Sequence, residues 1–400
     1  MSNTTDPSDR DRHLFGPGPK RMLALDGGAV RGIVSVAFLE RMEAMLAARS
    51  DDPDGFRLSH YFDLIGGTST GALIATGLAL GLKVDHLRRF YTERTRKIFR
   101  RSRFRIAGVQ LLFDAKPLVE EILAEVGDRT LDSPDLKTGL VIVTSRMDTG
   151  SPWIVTNIPG TKYWDTRTER GTLGNRYYRL ASLLRASTAA PYYFKPEPIA
   201  VVEGQPPGWF VDGGVSPYNN PSLAMLQAAT LSAYGLRWTP GAQTLLLVSV
   251  GTGSHRRRVP GEQIGRMSAL GVAMRALSGV IADNQRMTLA LLQVLSTPAD
   301  PWPVNNEVGD LSDDLLGGRA LLSFQRYDVQ FDPSWVAEHT GITISDDEAK
   351  AFERLDNAAA VDSAYRIAGA AAERQVRAAH FPPAFDGVCK DSGEGCVAPV

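Results

Sequence analysis

Four hundred residues, 43% of them hydrophobic and 22% charged, suffice for a large buried core and leave room for one large domain or two modest ones. Lys and Arg number 44 against 45 Asp and Glu, so the chain has no overall pull toward nucleic acid or an anionic surface, and any such preference must be local. Only Cys389 and Cys396 occur, which excludes a disulfide framework and a four-cysteine zinc site.

The opening MSNTTDPSDRDRH is polar and acidic, where a secretory signal needs a basic flank followed by an apolar run. A cytoplasmic location is therefore expected, with contact at a membrane periphery or export without a signal peptide as alternatives. Residues 1–20, with Gly16-Pro17-Gly18-Pro19, and residues 382–400, rich in Gly, Pro and charge, read as flexible tails. Between them, short apolar strand runs alternate with helical patterns: Met22 to Leu25, Phe62 to Ile65, Leu140 to Thr144, Trp209 to Val211 and Thr244 to Val250. Such alternation predicts a mostly parallel sheet covered by helices. Val34, Phe38, Met42 and Met45 recur at helical spacing, so Ile33 to about Arg49 is expected to lie on that sheet as an amphipathic helix. The stretch Gly71 to Leu82 is too short to span a bilayer, which takes about 20 residues. Beyond Gly253 the pattern turns helical, over Gly265 to Ser296 and Asp347 to His380, with a loop at Pro301 to Asn306. The division read from this is 1–20, 21–253, 254–381 and 382–400, with 254–381 as a helical part packed on 21–253.

Three motifs stand at the ends of predicted strands. Asp26-Gly27-Gly28-Ala29-Val30-Arg31-Gly32 joins a strand to a helix and exposes successive N–H groups where an anion binds well. A dinucleotide site fits it poorly, because Glu40 and Glu43 come too early to hold a ribose. An oxyanion hole needs only two or three such donors. Gly67-Thr68-Ser69-Thr70-Gly71 has the strand-to-helix setting of a nucleophile elbow, in which small flanking residues permit a tight turn that lifts the hydroxyl out of the sheet. Val211-Asp212-Gly213-Gly214 places a carboxylate at a strand end. Each motif alone also reads as an ordinary turn; their co-occurrence favours chemistry.

A Ser–His–Asp triad would draw on His255, His339 or His380, none of which has motif character; His339 and His380 read as surface residues. A dyad needs no histidine, since an aspartate of raised basicity can take the serine proton directly.

On these residues the chain resembles the patatin-like phospholipases. Asp26 to Gly32 resembles their oxyanion loop, Gly67 to Gly71 their elbow, and Asp212-Gly213-Gly214 their aspartate motif. Ser187 to Phe194 and Val248 to Gly253 are similar to the segments before and after that aspartate. The resemblance covers roughly residues 21–253. It implies an α/β fold of three layers, α/β/α, around a mostly parallel sheet, with the helical C-terminal part beside it. It also implies hydrolysis of acyl esters in membrane lipids through Ser69 and Asp212, an oxyanion hole at Gly27, Gly28 and Ala29, and no metal or other cofactor. Ala29 departs from the family, which has a third glycine there; its Cβ disfavours a positive φ.

Nine Lys or Arg between Arg88 and Arg105, interleaved with aromatic residues and one acid, Glu93, form a candidate surface for anionic headgroups, with a regulatory nucleotide or nucleic acid as other takers. Two alternatives to a plain lipase follow: a catalytically weakened lipid-sensing or interaction protein, and a phospholipase effector regulated by a nucleotide.

Overall fold

A computed structural model describes residues 6–99, 111–166, 171–255, 261–305 and 307–386. Four of the predicted strand runs appear close to where they were read: β1 (Lys20–Leu25), β2 (Leu64–Thr68), β3 (Gly139–Arg146) and, later in the chain, β7 (Leu245–Val250). β1, β2 and β7 are buried along their whole length, which is the condition of parallel strands covered on both faces. They pair in parallel, β7 with β1, β1 with β2, and β2 with β3. Successive residues of β1 face opposite sides. Leu23 and Leu25 join one apolar cluster with Phe38 and Met42 of α2 (Gly32–Ala47), and Met22 and Ala24 join a second with Met225 and Leu292. Helices thus cover both faces, and the molecule is a three-layer α/β/α sandwich around a mostly parallel sheet.

Three further strands lie at the far side of β3: β4 (Ser151–Thr156), β5 (Glu197–Ile199) and β6 (Gly208–Asp212). All are antiparallel to their neighbours. β6 contains the run Trp209 to Val211, which had been expected to lie parallel. A short apolar run signals burial but carries no direction.

The stretch before β1 is more ordered than its composition implies, while residues 387–400 of the C-terminal tail lie outside the described residues. Within residues 1–20, Asp9–Phe15 form α1, whose N-cap Ser8 accepts from the Asp11 N–H and whose Leu14 is buried. The part after Gly253 is not wholly helical: Ser323–Tyr327 is β8, which pairs in parallel with β7. Its Gln325 and Arg326 interrupt the apolar pattern, because a polar side chain enters a core only with partners. The rest of that part includes a long helix, Ala269–Val294, and a helix Val361–Gln375 that buries Ile367 and Ala371 in the cluster shared with α2. Among the described residues no helix is long and apolar enough to cross a membrane.

Candidate active site

The elbow begins where β2 ends. Ser69 is the N-cap of α3 (Thr70–Ala79) with φ 56° and ψ −123°, a conformation that costs a non-glycine residue on the order of 1–3 kcal/mol. Close packing leaves no other path. A Cβ on Gly67 would lie 2.1 Å from the Gly71 carbonyl, and one on Gly71 would lie 2.2 Å from the Leu25 oxygen. The Ser69 N–H donates to Ser187 Oγ at 2.8 Å, and that hydroxyl donates to the Val143 carbonyl at 2.6 Å.

Strand pairing brings the carboxylate to the serine. β4 occupies one edge of β3 from Val141 to Arg146. β2, paired as far as Thr68 with Val143, and β6, whose Asp212 pairs with Thr144, therefore share the other edge and meet tip to tip. Ser69 leaves the end of one strand where Asp212 ends the other. Ser69 Oγ donates to Asp212 Oδ2 at 2.5 Å, and the Gly214 N–H donates to Asp212 Oδ1 at 2.7 Å. Both residues are buried, at 8% and 5% exposure. Burial raises the Asp212 carboxyl to about 6, against the hydrogen bonds from Ser69 and Gly214 that pull it down. A carboxylate of that basicity in contact with a hydroxyl is equipped to take its proton.

The glycine loop lies beside this pair. Of its three expected donors, the Gly27 N–H is already engaged by the Asn219 carbonyl at 3.1 Å. Gly28 and Ala29 direct no N–H to a protein acceptor among the described residues, so of the three expected donors these two are left for an incoming anion. Ala29 does adopt the positive φ that its Cβ disfavours, 50°. The loop is held in place by Thr252 Oγ1, which donates to the Gly27 carbonyl at 3.0 Å, and by the Val30 N–H, which donates to the Leu355 carbonyl at 3.2 Å. Ala29→Gly is expected to relieve the dihedral and raise stability by about 0.5–1 kcal/mol, with ester turnover at least that of the parent. Urea unfolding checks it; an unchanged or lowered stability would show that no strain resides there.

Asp26 takes no part in that pair. It is fully buried against Arg326 of β8, whose guanidinium donates to Asp26 Oδ2 and to Asp328 Oδ2 at 2.7 Å each and to Ser249 Oγ at 2.7 Å. Burial opposes the Arg326 charge, but the two carboxylates outweigh it and hold the guanidinium protonated. Arg31 lines the cavity described next. Gly32 packs closely, since a Cβ there would sit 2.4 Å from the Tyr91 hydroxyl. Gly213 is confined in the same way, with the Val143 carbonyl 2.5 Å from where its Cβ would be.

Ser69, Asp212, Gly28 and Ala29 open on a cavity of about 240 Å³, walled by Leu73, Phe90, Ile98, Phe99, Phe194 and Ile281. An apolar slot ending at a hydroxyl suits a hydrocarbon chain that carries an ester. No histidine lines it. His255 Nε2 sits 3.1 Å from the Phe352 carbonyl, and His339 stacks on Trp335. His380, read as a surface residue, is buried instead: it meets the Tyr327 hydroxyl at 2.7 Å, and burial lowers it to about 4. Among the described residues no group of three or more His, Cys, Asp or Glu is placed to hold a metal.

The described part of the basic segment, residues 88–99, carries its cations in ion pairs. Arg88 and Arg89 pair with Asp85, Arg94 and Lys97 with Glu121, and Arg96 with Asp362. Its apolar members Phe90, Tyr91, Ile98 and Phe99 turn inward to the cavity. Residues 100–105, Arg256-Arg257-Arg258 and both cysteines lie outside the described residues.

Sequence reasoning did not single out Asn219, Thr252 or Arg326. Thr252 lay within a segment that carried the resemblance; Arg326 had no local signal at all.

The model of the family described as patatin-like phospholipase matches residues 23–226. A cGAMP-activated phospholipase of Vibrio cholerae is 28% identical over 287 residues, 68% of this chain and 76% of that protein. A cUMP-AMP-activated phospholipase of Escherichia coli is 29% identical over 276 residues, covering 69% and 77% respectively. Patatin group J-1 of Solanum tuberosum is 26% identical over 251 residues, covering 58% and 60%. With the family match spanning half its length, and with the elbow, the aspartate and the glycine loop gathered at one cavity, the chain belongs to the patatin-like phospholipases.

Proposed function

We propose that the protein is a serine lipid acyl hydrolase working through a Ser–Asp dyad. Asp212 takes the Ser69 proton as the hydroxyl oxygen attacks the ester carbonyl. The oxyanion is held by the Gly28 and Ala29 N–H groups, the alcohol leaves with the proton from Asp212, and an acyl-serine remains. Water, deprotonated by the same carboxylate, then attacks the acyl carbon; the bond to Ser69 Oγ breaks, the serine takes back the proton from Asp212, and the fatty acid leaves. Residues 21–253 supply this chemistry, and 254–381 complete it with Ile281 in the cavity wall and Arg326 and Leu355 behind the loop. The observation that carries the reading is the 2.5 Å hydrogen bond from Ser69 to a buried carboxylate, at the end of an apolar cavity. A fluorophosphonate probe is expected to label the parent protein at Ser69 and to leave Ser69→Ala unlabelled. Phosphatidylcholine vesicles are expected to release free fatty acid only with the parent. Both assays are run with and without cGAMP and cUMP-AMP; a parent unlabelled and inactive in every case would instead mark a decayed, lipid-sensing relative.

A second reading concerns control. Two relatives that this chain matches over more than two thirds of its length are phospholipases activated by cyclic dinucleotides. We infer that this hydrolase, too, is switched by a nucleotide and meets its lipid at a bilayer surface.

A further inference from the structure

At the opposite end of the sheet from Ser69, beside the first residues of β1 and the approach to β2, lies a larger cavity of about 810 Å³. Small-molecule sites run from about 300 to 1,000 Å³. Five permanent cations line it: Arg12, Lys20, Arg21, Arg57 and Lys137. Only two carboxylates do, Asp9 and Asp63. Asp63 is taken by Arg21, at 2.9 Å, and by His13, at 2.8 Å; Asp9 is shared by Arg12 and Lys137. Lys20 and Arg57 have no carboxylate within ion-pair distance among the described residues. The nearly buried Lys20 Nζ donates to the His13 carbonyl at 2.6 Å, and the Arg57 guanidinium donates to the backbone carbonyls of Asp54 and Phe56. Even allowing for Asp52, whose charge acts on His60 in the lining, and for Glu43, whose carboxyl feels the Arg57 charge, cations remain in excess within a concave space, which is where an anion is held most strongly.

This cavity is also tied to the elbow. Asp63 immediately precedes β2, and Leu80 and Gly81, which line the cavity too, immediately follow α3. The stretch from Asp63 to Gly81 therefore starts and finishes in the basic cavity and carries Ser69 at its turn. An anion that draws Arg21 or His13 toward itself loosens their hold on Asp63 at the foot of β2.

We propose that this cavity binds a nucleotide-sized ligand carrying two or more phosphate charges, and that its occupancy changes turnover at Ser69. The inference rests on the regulated reading given above. Guanidinium and ammonium groups in one concavity match phosphate oxygens, with arginine offering the paired donors. Phosphate charge of this kind comes on a cyclic dinucleotide or on a lipid headgroup, and the test separates the two.

The purified full chain is titrated by calorimetry with cGAMP, cUMP-AMP, soluble inositol bisphosphate and pyrophosphate, and turnover of a short-chain soluble ester is measured with each. The Arg57→Ala/Lys137→Ala double variant is run alongside. The expected result is salt-sensitive binding of at least one nucleotide, a changed turnover in the parent, and affinity weakened by about 10- to 100-fold in the double variant, whose basal turnover stays at the parent's level. Three results overturn the proposal: no probe binds, binding is equal in parent and double variant, or binding leaves turnover unchanged. Nucleotides that activate both proteins equally remove the cavity and keep nucleotide control. Inositol bisphosphate that binds here where neither nucleotide does removes nucleotide control and keeps the cavity.

Discussion

Asp212→Asn is expected to lose ester turnover by about 10²- to 10⁴-fold while becoming more stable than the parent. Asparagine keeps the shape, and its amide can both accept from Gly214 and donate to Ser69 Oγ, so the fold has no reason to change. What disappears is the base. The parent carboxyl stands at about 6 against an ordinary 3.8, so keeping it ionised in the folded state costs on the order of 3 kcal/mol. Well below its ordinary 3.8 the carboxyl is protonated folded and unfolded, and the cost vanishes; it grows as pH rises from there toward 6 and is complete above that. The gain in stability of Asp212→Asn should follow the same course, nearly absent at about pH 3 and full at about pH 8 in urea titrations. Parent kcat/KM should fall as pH drops through about 6, since the protonated acid cannot accept from Ser69. An acid limb near pH 4, or a variant less stable than the parent at pH 8, would refute the raised basicity on which the dyad depends.

Arg326→Met is expected to destabilise the fold by about 3–5 kcal/mol, the range for leaving buried charges without their partner. Two carboxylates, Asp26 and Asp328, would then face each other in a site that excludes water. Adding Asp26→Asn and Asp328→Asn to Arg326→Met removes that repulsion and is expected to recover part of the loss. The milder Arg326→Lys keeps the charge but not the fork that reaches three acceptors, and it reports on catalysis. Asp26 leads directly into the Gly27–Ala29 loop, and Asp328 holds the Gly253 N–H at 2.8 Å, next to the Thr252 that braces Gly27. A looser clamp displaces donors that matter most when the oxyanion forms. Arg326→Lys should therefore lower kcat and leave KM nearly unchanged. Stopped assays over a substrate range, beside urea unfolding of each variant, decide this; parental kcat with reduced stability would make the clamp purely structural.

Local order was legible in the residues themselves. The motif at Gly67 to Gly71 announced its turn because a tight strand-to-helix reversal admits only small residues, and the space around Gly67 and Gly71 bears that out. The β1, β3 and β7 runs could be read because continuous burial demands continuous apolar sequence. Other features had no such trace. The direction of β6 was hidden, as an apolar run looks the same read either way. α1 was hidden because its sequence is mostly charged and Leu14 is its one fully buried residue. β8 was hidden because Arg326 looks like a surface residue until Asp26, three hundred positions earlier, is seen beside it.

By itself, then, the sequence determined which chemical groups are present and what local turn each occupies, since backbone sterics and short-range periodicity act within a few residues. Only the tertiary structure decided that β2 and β6 meet tip to tip, that Gly27 gives its N–H to the Asn219 carbonyl, and that five cations gather in one cavity. These are pairings across long stretches of chain. Their energy comes from excluding water between groups that share no sequence neighbourhood, and a local pattern has no means of recording it.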